Sequence, residues 1–293
     1  MTRNAARRQG HQTLAPPIRI AVVAPGTRID EGLAARLKAF AADSFLDRAP
    51  EIVVHPQCFL SAGHFAGDDD ARLRAFVEVA NDPSYDAVWF ARGGYGACRI
   101  AEAALAQLNG ASRTKTYLGY SDNGAILGGL YARGYANVAH GPIPVDMMRA
   151  GGEGAVRRAL SWLIDRSPEA LELGVMFDGK TAAFNITVLQ SILGTSLEPD
   201  LDGHVLMLED VGEYLYRLDR ALFSITSSAN VRRVKGIKLG RVSEVVENDK
   251  PFGGNEEEMT RYWCAKAGIA YLGRADIGHD VENKVVPFGT LRR

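Results

Sequence analysis

Short apolar runs and amphipathic segments alternate over the first half of the 293-residue chain, and this alternation constrains the fold more than any other feature. The apolar runs are too short for helices, and the first ends at a Pro-Gly pair, so they predict buried strands. They lie at residues 18–24, 52–54, 87–90, 116–120 and 138–140. Segments with helical spacing of apolar residues separate them, at 31–45, 68–80, 100–108 and 123–133. Strands that alternate with helices form a parallel sheet covered on both faces, so the predicted class is α/β.

The pattern changes near Gly151, where a further helix (155–164) leads into Ser167-Pro168, the predicted linker. Beyond it, the predicted strands are shorter and lie at 205–208, 236–239 and 270–272, with helices at 215–227 and 256–267. This mixture predicts a smaller α+β domain. The predicted organisation is therefore a disordered tail at 1–17, an N-terminal α/β domain at 18–166 and a C-terminal domain at 167–293.

Composition excludes several classes of function. The formal net charge is −1, from 34 Lys and Arg against 35 Asp and Glu, so no overall field attracts nucleic acid or anionic lipid. The first 17 residues lack the apolar core of a secretory signal, and no later segment reaches the ~18 apolar residues of a membrane span. Three distant cysteines, Cys58, Cys98 and Cys264, fit free thiols in a reducing compartment. The predicted location is the cytoplasm. The histidines match no known ligand spacing, so no metal site is predicted.

A glycine-rich segment, residues 92–96 (RGGYG), follows the third predicted strand. Ligands of open α/β sheets bind beyond the carboxyl ends of the strands, where glycines let the backbone approach a ligand and amides can hold an anion. The segment lacks the third glycine of a dinucleotide-binding fingerprint and the acidic partner after the next strand. Considered alone, it is better explained as a tight strand–helix turn.

Three further positions are candidates for chemistry. Ser121 lies at a strand–turn–helix junction, where a serine can project its hydroxyl as a nucleophile or simply cap the helix. Glu209 ends an apolar run, where an acidic residue commonly caps the next helix. His279 lies in a turn-rich loop, and most such histidines are solvated. Considered alone, each of these residues favours the structural interpretation over the catalytic one.

Taken in order, these segments carry a family resemblance. They are AVVAPG, FAGDDDARLRAF, ARGGYGACRI, GYSD, HGP, ILGT, LMLEDVGEYLYRLDR, KGIKLG and ADIGHDVENKVVPFG, from about residue 18 to 289. The ordered set resembles the LD-carboxypeptidase family, which includes muropeptide carboxypeptidases and microcin C self-immunity hydrolases. The resemblance implies a flavodoxin-like N-terminal domain, a C-terminal domain with barrel-like strands, an active site in the groove between them and a homodimer.

The resemblance also implies a catalytic triad. The nucleophile of its Gly-Tyr-Ser-Asp segment falls on Ser121, the acid of its Glu-Asp pair on Glu209 and the base of its Gly-His segment on His279. A triad is defined by these roles and not by chain order. The backbone amides of Gly94 and Asp122 are the candidates for an oxyanion hole. The candidates for substrate binding are Arg92, Tyr95 and Tyr120. No cofactor or metal is expected.

The sequence departs from the family pattern at two places, both predicted to line the groove. Asn123 and Gly124 replace an apolar residue and threonine, and residues 183–186 (AFNI) replace a Gly-Gly-Asn-Leu segment. These differences bear on which substrate binds, because the three triad positions themselves match the family pattern.

The function implied is a serine carboxypeptidase that hydrolyses the L,D amide bond to terminal D-alanine in murein tetrapeptides, in peptidoglycan recycling. A hydrolase of an aminoacyl-nucleotide analogue is the enzymatic alternative, and Tyr95, Tyr120 and Tyr214 are candidates to stack on such a ligand. A non-catalytic relative that binds a ligand, and a nicotinamide- or flavin-binding α/β protein, are the alternatives from other classes.

Overall fold

The computed structural model describes residues 16–176 and 179–291, so the predicted tail lies outside the described residues except for Pro16 and Pro17. The strands are β1 (Arg19–Val23), β2 (Glu51–Val54), β3 (Ala87–Phe90), β4 (Thr116–Gly119), β5 (Val138–His140), β6 (Lys180–Asn185), β7 (His204–Val211), β8 (Gly236–Ser243), β9 (Tyr271–Arg274), β10 (Val286–Pro287) and β11 (Gly289–Thr290). The helices are α1 (Glu31–Phe45), α2 (Asp69–Asn81), α3 (Ala97–Leu105), α4 (Gly124–Ala132), α5 (Glu153–Asp165), α6 (Ile186–Ile192), α7 (Leu215–Ser227) and α8 (Glu256–Ala267). None of the described helices is both long and apolar enough to cross a membrane.

The first sheet has the strand order β10-β5-β4-β3-β1-β2. Strands β1 to β5 pair in parallel and follow the flavodoxin-like order 2-1-3-4-5, which confirms the predicted fold of this part. Strand β10 adds an antiparallel edge, with Val286 opposite His140. The predicted C-terminal domain thus returns one strand to the N-terminal sheet.

The second sheet has the order β11-β6-β7-β8-β9, in which β6 to β9 are parallel and β11 is antiparallel. The α/β class predicted for the chain as a whole is therefore confirmed. Among the described residues this sheet is open, with β9 and β11 at its edges, and its strands are mostly parallel where a more mixed arrangement was expected. Strand β6 was not predicted. Five of its six residues are buried, so it lacks the alternation of a half-buried strand, and its sequence KTAAFN has a single β-branched residue.

Hydrophobic packing is shared between the two parts of the molecule. A single hydrophobic cluster joins Phe90 and Ile126 of the first part to Phe184, Leu208 and Ile225 of the second. Helix α4 lies close to α6, since a Cβ placed on Gly128 would come within 2.9 Å of Ile192. This shared packing brings the loops after β4, β7 and β9 to one place.

Candidate active site

Ser121 occupies a sharp bend between β4 and α4. Its φ is +61°, in the left-handed region of backbone conformation that residues other than glycine rarely adopt. The neighbouring loop approaches it closely, because a Cβ placed on Gly93 would lie only 2.7 Å from both Cβ and Oγ of Ser121. This is the geometry of a strand–turn–helix elbow, in which backbone strain holds a serine hydroxyl at the edge of a sheet.

The residues after Ser121 fix the turn from inside. Asp122 is buried, and its Oδ2 accepts a 2.8 Å hydrogen bond from the Ala97 amide at the start of α3. Burial raises the pKa of Asp122 to about 6, although this hydrogen bond opposes the shift. Asn123 is fully buried, and its Nδ2 donates to the Tyr120 carbonyl at 2.9 Å. The turn is thus tied to its own strand and to the start of α3.

The predicted groove-lining role of the departures from the family pattern is therefore wrong for most of them. Asn123 is buried within the turn, and a Cβ on Gly124 would meet Val188 at 3.2 Å in the contact between helices. Ala183, Phe184 and Ile186 are core residues with at most 1% exposure. Asn185 alone borders a cavity next to Ser121.

Glu209 and His279 form a buried pair. Glu209 lies on β7 and His279 in the loop after β9, and His279 Nδ1 is 2.6 Å from Glu209 Oε2. The side chains are 0% and 8% exposed, so the pair is shielded from water. Burial alone would lower the pKa of His279, but the Glu209 charge and hydrogen bond outweigh it, and the net shift is upward. The pair leaves Nε2 as the other ring nitrogen available for proton transfer.

Arg241 holds the loop that carries His279 (the histidine loop) through contacts on both sides of that residue. Arg241 Nη1 lies 2.6 Å from Asp276 Oδ1, and its Nε contacts the Asp280 carboxylate. The Arg241 amide also donates to the Ile277 carbonyl at 2.8 Å. These contacts fix the loop against β8, next to the strand that carries Glu209.

Tyr120 packs against the histidine. Its ring centroid is 4.7 Å from that of His279, and its hydroxyl donates to Asp146 Oδ1 at 2.7 Å. Tyr120 is only 2% exposed, so it forms part of the site wall rather than an open stacking surface. The ring of His140 lies on it as well, 5.5 Å away, and burial lowers the pKa of His140 to about 4. His140 is therefore neutral at physiological pH.

Ser121 lies between two cavities. The first, of about 300 Å³, is also bordered by His279, Tyr120, Arg92 and Arg149, together with the apolar residues Ile143, Val145 and Met148. The second, of about 280 Å³, is bordered by Tyr95, Asp122, Asn185, Asp210 and Glu213 among others. Gly94 borders both. The structure therefore brings Ser121 and His279 to one cavity, with Glu209 directly behind the histidine.

The Gly93–Gly94 peptide has a fixed orientation. The Thr27 hydroxyl donates to the Gly93 carbonyl at 2.7 Å, so the Gly94 N–H, on the opposite side of the same planar peptide, points away from Thr27. Among the described residues this amide donates no hydrogen bond. It is thus a donor that a ligand beside Ser121 can use.

The other predicted ligand contacts are distributed unevenly. Arg92 is exposed and its Nη1 donates to the Arg28 carbonyl at 3.3 Å, at the rim of the first cavity. Tyr95 is 51% exposed and borders only the second cavity. Tyr214 borders a third cavity, of about 650 Å³, that includes neither Ser121 nor His279. Among the described residues, no group of three or more His, Cys, Asp and Glu side chains is arranged to hold a metal ion.

Sequence reasoning missed four residues of this region: Thr27, Asp146, Arg149 and Glu213. All four lie after strands of the two parallel sheets, at the edge where ligands bind. Their positions after β1, β5 and β7 were the available signal. Nothing in the residues themselves distinguished them from ordinary loop residues.

Comparisons with known proteins identify the family of the chain. Residues 20–141 match the LD-carboxypeptidase N-terminal domain, and residues 178–292 match the LD-carboxypeptidase C-terminal domain. The murein tetrapeptide carboxypeptidase of Pseudomonas aeruginosa is 26% identical over 292 residues, which cover 92% of this chain and 91% of that protein.

Two solved structures share the fold. One is muramoyltetrapeptide carboxypeptidase from Oxalobacter formigenes, with a TM-score of 0.74 and 23% identity over 92% of this chain and 93% of that chain. The other is the microcin C7 self immunity protein MccF in complex with aspartyl sulfamoyl adenosine, with a TM-score of 0.75 and 17% identity over 94% and 92%. Because the two matched domains together cover most of its length, the chain belongs to the LD-carboxypeptidase family.

Proposed function

We propose that this chain is a serine carboxypeptidase whose nucleophile is Ser121, with His279 as general base and Glu209 as the residue that orients it. The observation that carries the proposal is the buried 2.6 Å contact between His279 and Glu209, beside a serine held at a φ of +61° in the same cavity. A strained serine next to an imidazole that is fixed by a carboxylate is the arrangement that acyl transfer requires.

The proposed reaction proceeds in two steps, acylation of the serine and hydrolysis of the acyl-enzyme. Ser121 Oγ attacks the amide carbonyl while His279 Nε2 accepts its proton, and Glu209 stabilises the imidazolium that forms. The amides of Gly94 and Asp122 donate to the oxyanion of the tetrahedral intermediate. His279 then returns the proton to the leaving amine as the C–N bond breaks. Water, deprotonated by His279, attacks the acyl-enzyme and regenerates Ser121.

The proposed substrate is a murein tetrapeptide that ends in D-alanine. The Pseudomonas aeruginosa relative is named as a murein tetrapeptide carboxypeptidase, and the match spans both chains nearly end to end. The first cavity, with apolar Ile143 and Val145 beside two arginines, suits a residue with a methyl side chain and a terminal carboxylate. Action in the cytoplasm, within peptidoglycan recycling, and the homodimer that the family resemblance implies are part of the same proposal.

A hydrolase of an aminoacyl-nucleotide analogue is the second candidate. It is favoured by the likeness to the fold of MccF and by Tyr95, which is 51% exposed beside the second cavity and offers a ring on which a base could stack. It uses the same three residues, so the two candidates differ in the leaving group and not in the chemistry.

The test is to incubate the parent protein and Ser121→Ala with L-Ala-γ-D-Glu-meso-diaminopimelyl-D-Ala and, in parallel, with aspartyl sulfamoyl adenosine. We expect the parent alone to release free D-alanine. Release of aspartate by the parent without any D-alanine would favour the second candidate. Equal D-alanine release by Ser121→Ala would contradict the assignment of the nucleophile.

A further inference from the structure

The two cavities that flank Ser121 have opposite charge. The first is bordered by Arg92 and Arg149 and by no carboxylate, whereas the second is bordered by Asp122, Asp210 and Glu213 and by no basic side chain. A substrate whose scissile amide lies at Ser121 has to extend into both. The sign of the charge at each end therefore determines the direction in which it binds.

Arg149 is the cation of the first cavity whose guanidinium is oriented for binding a carboxylate. Its Nε lies 3.4 Å from Asp146 Oδ1, and Asp146 is fully buried, where it also accepts from Tyr120 and from the Ile143 amide at 2.9 Å. The Arg149 side chain is 37% exposed, and its guanidinium interacts with the Tyr120 hydroxyl as well as with Asp146. One edge of the guanidinium is held and the other is available, which is the geometry for a bidentate contact with a carboxylate.

Arg92 is less well prepared for that contact. Its side chain is exposed, and one terminal nitrogen donates to the Arg28 carbonyl at 3.3 Å. No buried carboxylate orients it among the described residues. The comparison favours Arg149 over the arginine that the sequence indicated.

Glu213 is the available anion of the second cavity. Asp122 and Asp210 are engaged there, since Asp122 accepts from the Ala97 amide and Asp210 accepts from Asn185, Thr187 and Val211. Burial raises the pKa of each to about 6, so the charged form of both carboxyl groups is disfavoured. The Glu213 side chain is 22% exposed, and its nearest cation, Arg217, is 3.7 Å away on the surface.

We propose that Arg149 binds the terminal carboxylate of the leaving residue and that Glu213 binds an ammonium group on the acyl part of the substrate. Both are specificity-determining residues, and together they fix the direction of the peptide across Ser121. This inference rests on the carboxypeptidase function proposed above and names the chemistry at each end of its substrate.

The test uses two matched pairs of murein tetrapeptides. One pair ends in D-alanine or in D-alanine amide, so that only the terminal charge differs. The other pair carries L-lysine or L-norleucine at the third position, so that only the side-chain ammonium differs. The proteins are the parent, Arg149→Met, Arg149→Lys, Arg92→Met and Glu213→Gln. Arg48→Met is the matched control, because Arg48 lies before β2, at the opposite edge of the sheet from Ser121.

We expect the parent and Arg48→Met to prefer the free acid over the amide, and lysine over norleucine, each by roughly tenfold to a hundredfold in kcat/KM. Arg149→Met should lose the preference for the acid, mainly through KM, and keep the preference for lysine. Arg149→Lys should recover part of the first preference. Glu213→Gln should show the reverse pattern, with the preference for lysine lost and that for the acid kept.

An undiminished preference for the acid in Arg149→Met would overturn the assignment, and loss of that preference only in Arg92→Met would transfer it to Arg92. If Arg149→Met lost the preference for lysine and Glu213→Gln lost the preference for the acid, the peptide would bind in the direction opposite to the one proposed. If the parent cleaved none of these peptides, the carboxypeptidase function would be contradicted, and this inference with it.

Discussion

The two halves of the candidate site are held in place by different forces. Ser121 is positioned by the backbone: a φ of +61°, and a contact with Gly93 that leaves no room for a Cβ. Glu209 and His279 are positioned by charge, through their own 2.6 Å contact and through Arg241 on the histidine loop. A change in the first half should therefore act through sterics, whereas a change in the second should act through protonation.

Glu209→Gln should give the larger effect. We expect kcat/KM to fall by about a thousandfold to ten-thousandfold, because the imidazolium loses its counter-charge and the imidazole its orientation. The pH profile should change as well. In the parent the pKa of His279 is raised, so activity should decline as pH falls through a value above the ordinary ~6.5.

In Glu209→Gln the group that raises the pKa of His279 is gone while burial remains, so the acid limb should move to lower pH. The measurement is kcat/KM from pH 5 to 9 for both proteins. An acid limb at the same pH in both, or a flat profile in the parent between pH 5 and 8, would count against His279 as the base.

Gly93→Ala should act through sterics and should leave the position of the acid limb unchanged. Its Cβ would lie 2.7 Å from Ser121 Cβ and Oγ, so the serine or the loop must move. Since displacement of a reacting group by about 1 Å can cost about a hundredfold, we expect a loss of that size in kcat/KM. A lower thermal midpoint should accompany it, because overpacking costs about 1–3 kcal/mol.

The matched control for that variant is Gly154→Ala, in helix α5. A Cβ there meets only Arg158 Nη1, at 3.9 Å, so the change should stabilise the protein by about 0.5–1 kcal/mol without altering activity. Kinetics and thermal unfolding of the two variants provide the comparison. Full activity in Gly93→Ala would show that the close approach of the two loops does not position Ser121.

Much of the fold followed from periodicity. The bounds predicted for α1, α7 and α8 agree with the structure at both ends, and those predicted for α2 differ by one residue at each end. Strand β6 and helix α6 were missed: the strand is buried on both faces, and the helix, ITVLQSI, is short and rich in β-branched residues. Both have patterns that local sequence does not distinguish from the alternatives.

The candidate site depended on a different kind of information. Glu209 and His279 are 70 residues apart, and nothing local to either residue predicts their contact. Only the ordered series of family segments indicated the three triad positions together. Arg149 and Glu213 were missed because their significance comes from cavities formed by loops of different strands, and the charge of such a cavity is not a local property of the sequence.

Covalent labelling with a fluorophosphonate, followed by intact-mass and peptide analysis, tests whether His279 and Glu209 activate Ser121. We predict a single adduct on the parent, located on Ser121, with a labelling rate that falls with acid along the same limb as hydrolysis. Ser121→Ala should remain unmodified, and Glu209→Gln should react far more slowly. Equal modification of Ser121→Ala, or an adduct on another residue of the parent, would contradict the account.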